Sequence, residues 1–408
     1  MNNVILVSYC KGSAFLPMGR LAYKDRKIYF EYAPSFIELG IELSPFKLPL
    51  KPGVAVCEDF VFDGLFGIFN DSLPDGWGKL LLDRKLMKMG THPQSLTPLD
   101  RLSFVGSRGM GALQYQPEIE KSKNPILIED LDLIAAECLS VLEYDEDQYV
   151  DELLALNCSS AGARPKVMVR LLPKDKGFIP VENLPEMPHN DWLIKFRSSV
   201  DPKDIGPIEY AYHLMAVKAG LDVPEAKLFK SAKCNGYFGV KRFDREKHKF
   251  LHVHTMSGLL HADHRIPSLD YETIMKVTLW LTKDVYECEK QFRNAVFNVL
   301  SHNRDDHAKN FSFLMDENGI WHVSPAYDLT FSSGPNGEHS TTVMREGKNP
   351  GIPHLMKLAA IVNINEKKAM LIIEQVQDAV SEWSSIAKKA QVSPRSTKTI
   401  QLNLKTKI

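Results

Sequence analysis

No stretch of the chain approaches the roughly 18–20 consecutive apolar residues that a membrane-spanning helix needs, so no membrane partner is expected. Cysteine is sparse. The six thiols, Cys10, Cys57, Cys138, Cys158, Cys234 and Cys288, are scattered and contain no C-x-x-C pair, which argues against a zinc ribbon or a disulfide framework and for reduced thiols. An excess of either charge is also missing. With a formal net charge of −1, no global field draws the whole molecule onto nucleic acid, although a local basic patch stays open. The opening MNNVILVSYCKGS lacks the basic start, long apolar centre and small-residue cleavage site of a secretion signal, and the expected location is the cytoplasm. Internal repeats, low-complexity tracts and a helix-turn-helix signature are absent as well.

What is present is the composition of an ordinary globular protein, 44% hydrophobic and 25% charged, with 408 residues, enough for two or three cores. Over the first ~115 residues, short β-type runs (VILVSY, KIYFEY, GIEL) alternate with Gly, Pro and charged breaks, as in a small β-rich domain. The stretch NDSLPDGWGKLLLDRKLMKMG then predicts a helix stopped at Gly90, and LDRLSFVGSRGMGALQY a tight turn between helix and strand. KSKNP at 121–125 reads as a linker. Two helical stretches follow, and beyond them SSAGARPK, the apolar strand pattern of DWLIKF, and a helix from about Pro207 to Ala219 with Gly220 past its end. From about 270 onward the pattern is mostly helical, with Asn365 a candidate cap for a late helix. The tail QVSPRSTKTIQLNLKTKI is expected to be a loose end.

The chemistry concentrates in NRDDHAKNFSF, residues 303–313. FSFLM alternates like a strand, DENG supplies a turn, and IWHVSPAYDL runs back. A two-residue Asn318–Gly319 hairpin would pair Glu317 with Ile320, face Asn310 with Tyr327 and bring Asp328 beside the 305–310 loop. An Asp, four residues, an Asn, then a hairpin and a second Asp is the spacing of phosphotransferases. There the first carboxylate takes a hydroxyl proton, while the Asn and second Asp offer hard oxygen ligands to Mg2+ beside the nucleotide phosphates. The plainer reading is a solvated loop capping a hairpin.

Two lysines extend the first reading. Lys195 ends the strand pattern of DWLIKF, where a charge facing the core needs a partner, and Glu209 on the following helix is the candidate. In SSAGARPK, small residues would let backbone N–H groups approach phosphate, with Lys166 adding a point charge. VKRFDRE could lend backbone groups to adenine. The four histidines of LHVHTMSGLLHADHR (His252, His254, His261, His264) lack the paired spacing of a catalytic metal site and are expected to pack under that hinge. Asp306, adjacent to Asp305, is expected to face solvent or Arg304.

Taken together, SSAGARPK, WLIKF, VKRFDR, NRDDHAKNFSF and SPAYDL, with LPDGWGKLLLD and FVGSRGMGAL before them, resemble the HipA family of bacterial serine/threonine kinases in order and over nearly the whole chain. The resemblance implies an α/β (α+β) fold, two-lobed and protein-kinase-like, with a small N-terminal β-rich domain and a largely helical C-lobe. The corresponding division is 1–120, 125–245 and 246–408. It implies ATP and Mg2+ as cofactors, Asp305 as base, and Asn310 and Asp328 as metal ligands. Lys195 would lie on the phosphates and Ala161, Gly162, Ala163, Arg164, Pro165 and Lys166 in the phosphate-side loop. Lys241, Arg242 and Phe243 would form the hinge, with His307, Ala308, Lys309, Asn310 and Tyr327 along the nucleotide. Ser159 matches a serine that such kinases phosphorylate on themselves. The family also implies toxin activity, a protein substrate in the translation apparatus such as an aminoacyl-tRNA synthetase, and a helix-turn-helix antitoxin. DNA would be met only through that antitoxin or a secondary basic patch. A kinase of lipid or small-molecule hydroxyls, or a non-catalytic ATP-binding corepressor or scaffold, would use the same residues.

Overall fold

The computed structural model describes residues 3–119, 127–144, 147–156, 162–181 and 188–405. Ser159, Ala161, Cys158 and the KSKNP linker lie outside them.

The N-terminal strands β1 (Val4–Lys11), β2 (Ala14–Lys24), β3 (Lys27–Tyr32) and β4 (Val54–Val56) form an antiparallel meander. Alternation sets the faces: Ile5, Val7 and Tyr9 of β1 point inward while Val4 and Leu6 stay exposed. Helices α1 (Pro34–Glu38), α2 (Gly67–Asn70), α3 (Gly76–Lys88) and α4 (Pro98–Val105) accompany this sheet, and β5 (Leu113–Gln116) closes it beside β1 in the order β4-β3-β2-β1-β5. The expected stop of α3 is present, with Gly90 at φ +75°. The glycine-rich turn does join α4 to β5.

After α5 (Leu131–Tyr144) and α6 (Val150–Ala155) comes a second antiparallel sheet. Its strands are β6 (Lys166–Leu171), β7 (Phe178–Pro180), β8 (Asp191–Lys195), β9 (Ala226–Phe229) and β10 (Tyr237–Lys241), ordered β7-β6-β8-β10-β9. Interior strand β6 is buried at every position. Helix α7 (Ile205–Lys218) packs on β9 and β10 and ends before Gly220 at φ +74°. Trp77 and Leu81 of α3 share the apolar core of this second sheet with α5 and α6, so the N-terminal segment is built into the sheet that carries Lys195.

The remainder is mainly helical. Short strands β11 (Arg245–Glu246), β12 (Lys249–Phe250) and β13 (His252–Thr255) lead through α8 (Met256–Leu260) and β14 (Leu269–Asp270) to α9 (Tyr271–Thr282) and α10 (Val285–Leu300). The hairpin β15 (Ser312–Met315) and β16 (Trp321–Val323) lies beside β13, and β17 (Thr341–Thr342) pairs in parallel with β14. Helices α11 (Ile352–Ile361), α12 (Glu366–Ser381), α13 (Trp383–Lys389) and α14 (Pro394–Gln401) complete the lobe. Asn365 caps α12 by accepting from the Lys368 amide at 2.8 Å. Among the described residues no helix is long and apolar enough to cross a membrane.

Three expectations are corrected here. The tail is not loose: α14 is capped by Ser393, its Thr397 carbonyl accepts from Trp383 Nε1 at 3.1 Å, and the Lys405 amide donates to Leu300 O at 3.0 Å. The histidine segment lies against the N-terminal sheet unit rather than under the hinge: His252 meets Leu43 O at 3.2 Å, and His254 meets Ser44 at 3.0 Å and Asp71 at 2.7 Å. The hairpin has a three-residue loop, since Met315 pairs with Trp321 and Asp316 with Ile320. Asp316 causes this by accepting from the Asn318 and Ile320 amides, while Gly319 takes φ +81°. The register therefore sits one residue away from a Glu317–Ile320 pairing, and Asn310 lies outside the ladder rather than opposite Tyr327.

Candidate active site

Strand β8 delivers Lys195 to the mouth of the second sheet, and β6 sets Lys166 directly across the ladder from it. One turn into α7, buried Glu209 accepts from Lys195 Nζ at 3.3 Å. Lys195 also pairs with Asp328. Burial pulls the Lys195 pKa down, but the carboxylates of Asp328 and Glu209 outweigh it and the pKa is raised, so the ammonium persists. In turn Lys195, helped by Lys166 and Arg164, overcomes burial and holds the Asp328 carboxyl far below the usual range. The expected Lys195–Glu209 pair is therefore present, and it is tied to a third site residue.

Arg164 closes the loop side. Its guanidinium meets Asp201 at 3.0 Å and the same Glu209 oxygen at 3.1 Å, which anchors the phosphate-side loop to the start of α7. Gly162 stands at φ +100°, a backbone a residue with a Cβ rarely adopts, and a Cβ there would lie 2.4 Å from Lys166 Nζ. Pro165 joins the loop to the sheet by accepting from the Phe196 amide at 2.9 Å. Ala163 completes it.

The 303–310 segment starts where α10 ends. Asn298 holds the exit, accepting from the Asn303 amide at 3.0 Å and from its side chain at 2.9 Å. Asp305 and Asp306 then diverge. Asp306 is fully buried, not solvent-facing: its carboxylate accepts from Tyr271 OH at 2.9 Å and the Thr341 amide at 3.3 Å, and meets His339 Nδ1 at 2.8 Å. Neighbouring side chains point apart, so anchoring Asp306 inward turns Asp305 outward. Solvent reaches Asp305, yet the protein packed around it and the Asp328 charge raise its pKa, with His307 and Arg164 opposing. A carboxyl raised in this way is a better base near neutral pH than an ordinary one. The Asn310 Nδ2 donates to the Asp305 carbonyl at 2.7 Å, which leaves its Oδ1 without a hydrogen bond among the described residues. An amide oxygen and a strongly acidic carboxylate, each a neighbour of Asp305, are donors of the kind that suits a hard cation. Asp328 itself sits at φ +55°, a left-handed backbone in the irregular segment that follows β16.

Other expected site residues divide. Tyr327 donates to the Lys309 carbonyl and lies 5.5 Å from the Phe243 ring, so those two aromatics form one wall. Ala308 and Asn310 lie in a short 3-10 turn that His307 precedes, and the His307 ring meets His264 at 5.5 Å. The side chains of Lys241 and Arg242 turn elsewhere: Lys241 to Glu225 at 3.3 Å, Arg242 to Asp244 at 2.7 Å and to Gly109 O at 3.3 Å. Their backbone amides are taken too, donating to Glu225 O and Asp191 O at 2.8 Å each. Lys309 is likewise committed, donating to Asp75 at 2.6 Å. Asp75, Asp201 and the Asp306–Tyr271–His339 group were not picked out as chemistry from the sequence. Asp75 had a signal in LPDGWG; the others are joined only by long-range folding.

Residues 158–383 match the family described as the HipA-like C-terminal domain, and residues 14–116 the HipA N-terminal domain. The chain belongs to the HipA family. The HipA of a Shewanella oneidensis toxin–antitoxin system, solved with HipB and its operator DNA, superposes with a TM-score of 0.70 at 15% identity, over 98% of this chain and 96% of that one. The HipA kinase-like fold is thereby established. Two curated relatives carry provisional kinase names: Y4dM of Sinorhizobium fredii, 25% identical over 264 residues, and a Haemophilus influenzae protein, 27% identical over 185 residues. These alignments take in 59% and 42% of this HipA-family chain, and 62% and 52% of the relatives' own lengths.

Proposed function

We propose that the protein is a Mg·ATP-dependent serine/threonine-protein kinase, a HipA-type toxin of the cytoplasm. One observation carries the reading: Asp305, Asn310, Asp328 and the Lys195–Glu209 pair are linked to one another by hydrogen bonds, an ion pair and the mutual charge of Asp305 and Asp328. In this reading Asp305 accepts the proton of the attacking hydroxyl, and Lys195, kept charged and oriented by Glu209, binds nucleotide phosphate together with Lys166. Asn310 and Asp328 would hold Mg2+, which when bound neutralises charge on the phosphate oxygens. Phe243 and Tyr327 would border the base, and the carbonyls of Lys241 and Arg242 with the Phe243 amide would offer it hydrogen bonds.

The acceptor is a protein of the translation apparatus, an aminoacyl-tRNA synthetase among them, with Ser159 the acceptor on the chain itself. A helix-turn-helix antitoxin is the proposed inhibitor and the route to DNA. The test is transfer from labelled ATP with Mg2+, wild type beside Asp305→Ala, with mass mapping of the label. Label on Ser159 in wild type, reduced on the order of 100-fold or more in the variant, is the expected result. ATP bound without transfer in either protein would overturn the enzyme reading in favour of a binding scaffold. Label passing only to lipid or small hydroxyls would change the substrate class.

A further inference from the structure

Asp75 occupies the N-cap position of α3, a place where an Asp side chain ordinarily accepts from its own helix. It makes no such capping bond. Both of its oxygens are committed to other segments. Oδ1 accepts from the Gly162 amide of the phosphate-side loop, and Oδ2 accepts from Lys309 Nζ at 2.6 Å, with His264 Nε2 at 3.8 Å. Lys309 is 8% exposed, and its neighbour Asn310 holds the Asp305 carbonyl.

The residues after Asp75 repeat the link. The Trp77 amide donates to Gly162 O at 3.1 Å, and Trp77 Nε1 donates to Lys166 O at 3.1 Å. Gly76, at φ +44°, lies so close that a Cβ on it would stand 2.5 Å from Gly162 O and 2.7 Å from Ala163 Cα. Burial would raise the Asp75 carboxyl, but Lys309 and the Gly162 amide reverse the effect and hold it below the usual range. The carboxylate thus stays ionised between its two partners.

We propose that Asp75 is a positioning residue of the transfer site. By holding the Gly162 amide and the Lys309 ammonium on one carboxylate, it fixes the spacing between the phosphate-side loop and the catalytic loop, so that the N-terminal segment completes the kinase centre. The inference deepens the kinase reading and rests on it. Asp75 touches no reacting atom; it acts through Gly162 and Lys309.

The test uses the full chain as wild type, Asp75→Ala, Asp75→Asn, Lys309→Met and the double variant Asp75→Ala/Lys309→Met. ATP binding is followed by calorimetry, transfer by kcat and KM, and folding by thermal melting. Asp75→Ala, assayed well below its melting temperature, should lower kcat/KM for ATP on the order of 10- to 100-fold, more than the lowered melting temperature that an unpaired Lys309 brings can account for. Lys309→Met should produce part of that loss, and the double variant no more than Asp75→Ala alone, because the two residues act as one unit. Asp75→Asn keeps the volume and one acceptor, and serves if the alanine variant fails to fold; it should fall between wild type and Lys309→Met in ATP affinity. Wild-type rates in Asp75→Ala, strictly additive losses, or losses that merely follow melting temperature would overturn the proposal. If wild type binds ATP without transferring phosphate, the kinase reading fails and the clamp is decided by ATP affinity alone. If wild type binds no ATP, both fall.

Discussion

Lys166 should make ATP affinity depend on pH in a range where most lysines are silent. Its ammonium is 5% exposed and faces Lys195 across the β6–β8 ladder. Burial, and then the Lys195 charge, lower its pKa to about 8 against the pull of Asp328, Asp75 and Glu209. Lys195 does not share this behaviour, because its carboxylate partners raise its pKa and keep it charged throughout. The direction of the effect follows. In the free protein Lys166 loses its proton as pH rises through about 8, whereas nucleotide phosphate at Nζ favours the ammonium and pushes the pKa back up. Affinity is full below that pH and is lost above it. The charged fraction falls from roughly nine-tenths at about pH 7 to roughly one-tenth at about pH 9, which weakens binding about tenfold, or about 1.4 kcal/mol. Calorimetric titration with Mg·ATP at constant ionic strength measures this directly. Lys166→Arg, charged at every pH in the range, should bind well with a flat profile, and Lys166→Met weakly with a flat profile. A wild type whose affinity is level across those pH values, or a methionine variant that keeps the slope, would refute the reasoning.

Other outcomes follow from the same contacts. Lys195→Met removes the main counter-charge of Asp328, a half-buried carboxylate, and should cost about 1 kcal/mol of stability, limited by solvent screening, as well as transfer, read from the denaturation midpoint and the labelling rate. Asp306→Ala strands the Tyr271 hydroxyl and the Thr341 amide and removes the partner of His339. A loss of about 3 kcal/mol in urea unfolding is expected, with transfer falling because Asp305 is no longer aimed; a neutral result would mean that the buried network does not hold the loop. Gly319→Ala meets open space but must keep φ +81°, so it should cost about 1 kcal/mol and leave transfer untouched.

The parts of this molecule that were legible in the sequence are those whose partners lie close by along the chain. Periodicity placed α3 and its Gly90 stop, Pro207 and Gly220 bracketed α7, and the Asn365 cap was visible from the residue type alone. Lys195 and Glu209 could be paired because a strand and the next helix are adjacent in space as in sequence. The hairpin was foreseen, but its register was not. Asn-Gly is a strong two-residue turn signal, and here it lost to Asp316, whose carboxylate accepts from two amides inside the loop and stabilises one residue more. Asp306 was misread for a different reason. Its three side-chain and amide partners sit some thirty-five positions away on either side, and local pattern is blind to them. Asp75 is the extreme case, meeting Lys309 across 234 positions. A short carboxylate before a helix normally signals a cap, and nothing local distinguishes a capping Asp from one turned toward distant loops. The misreadings share one physical origin: a side chain of few atoms chooses among several donors, and the choice is made by the tertiary fold, which sets Gly162 and Lys309 on this carboxylate in place of the helix's own amides.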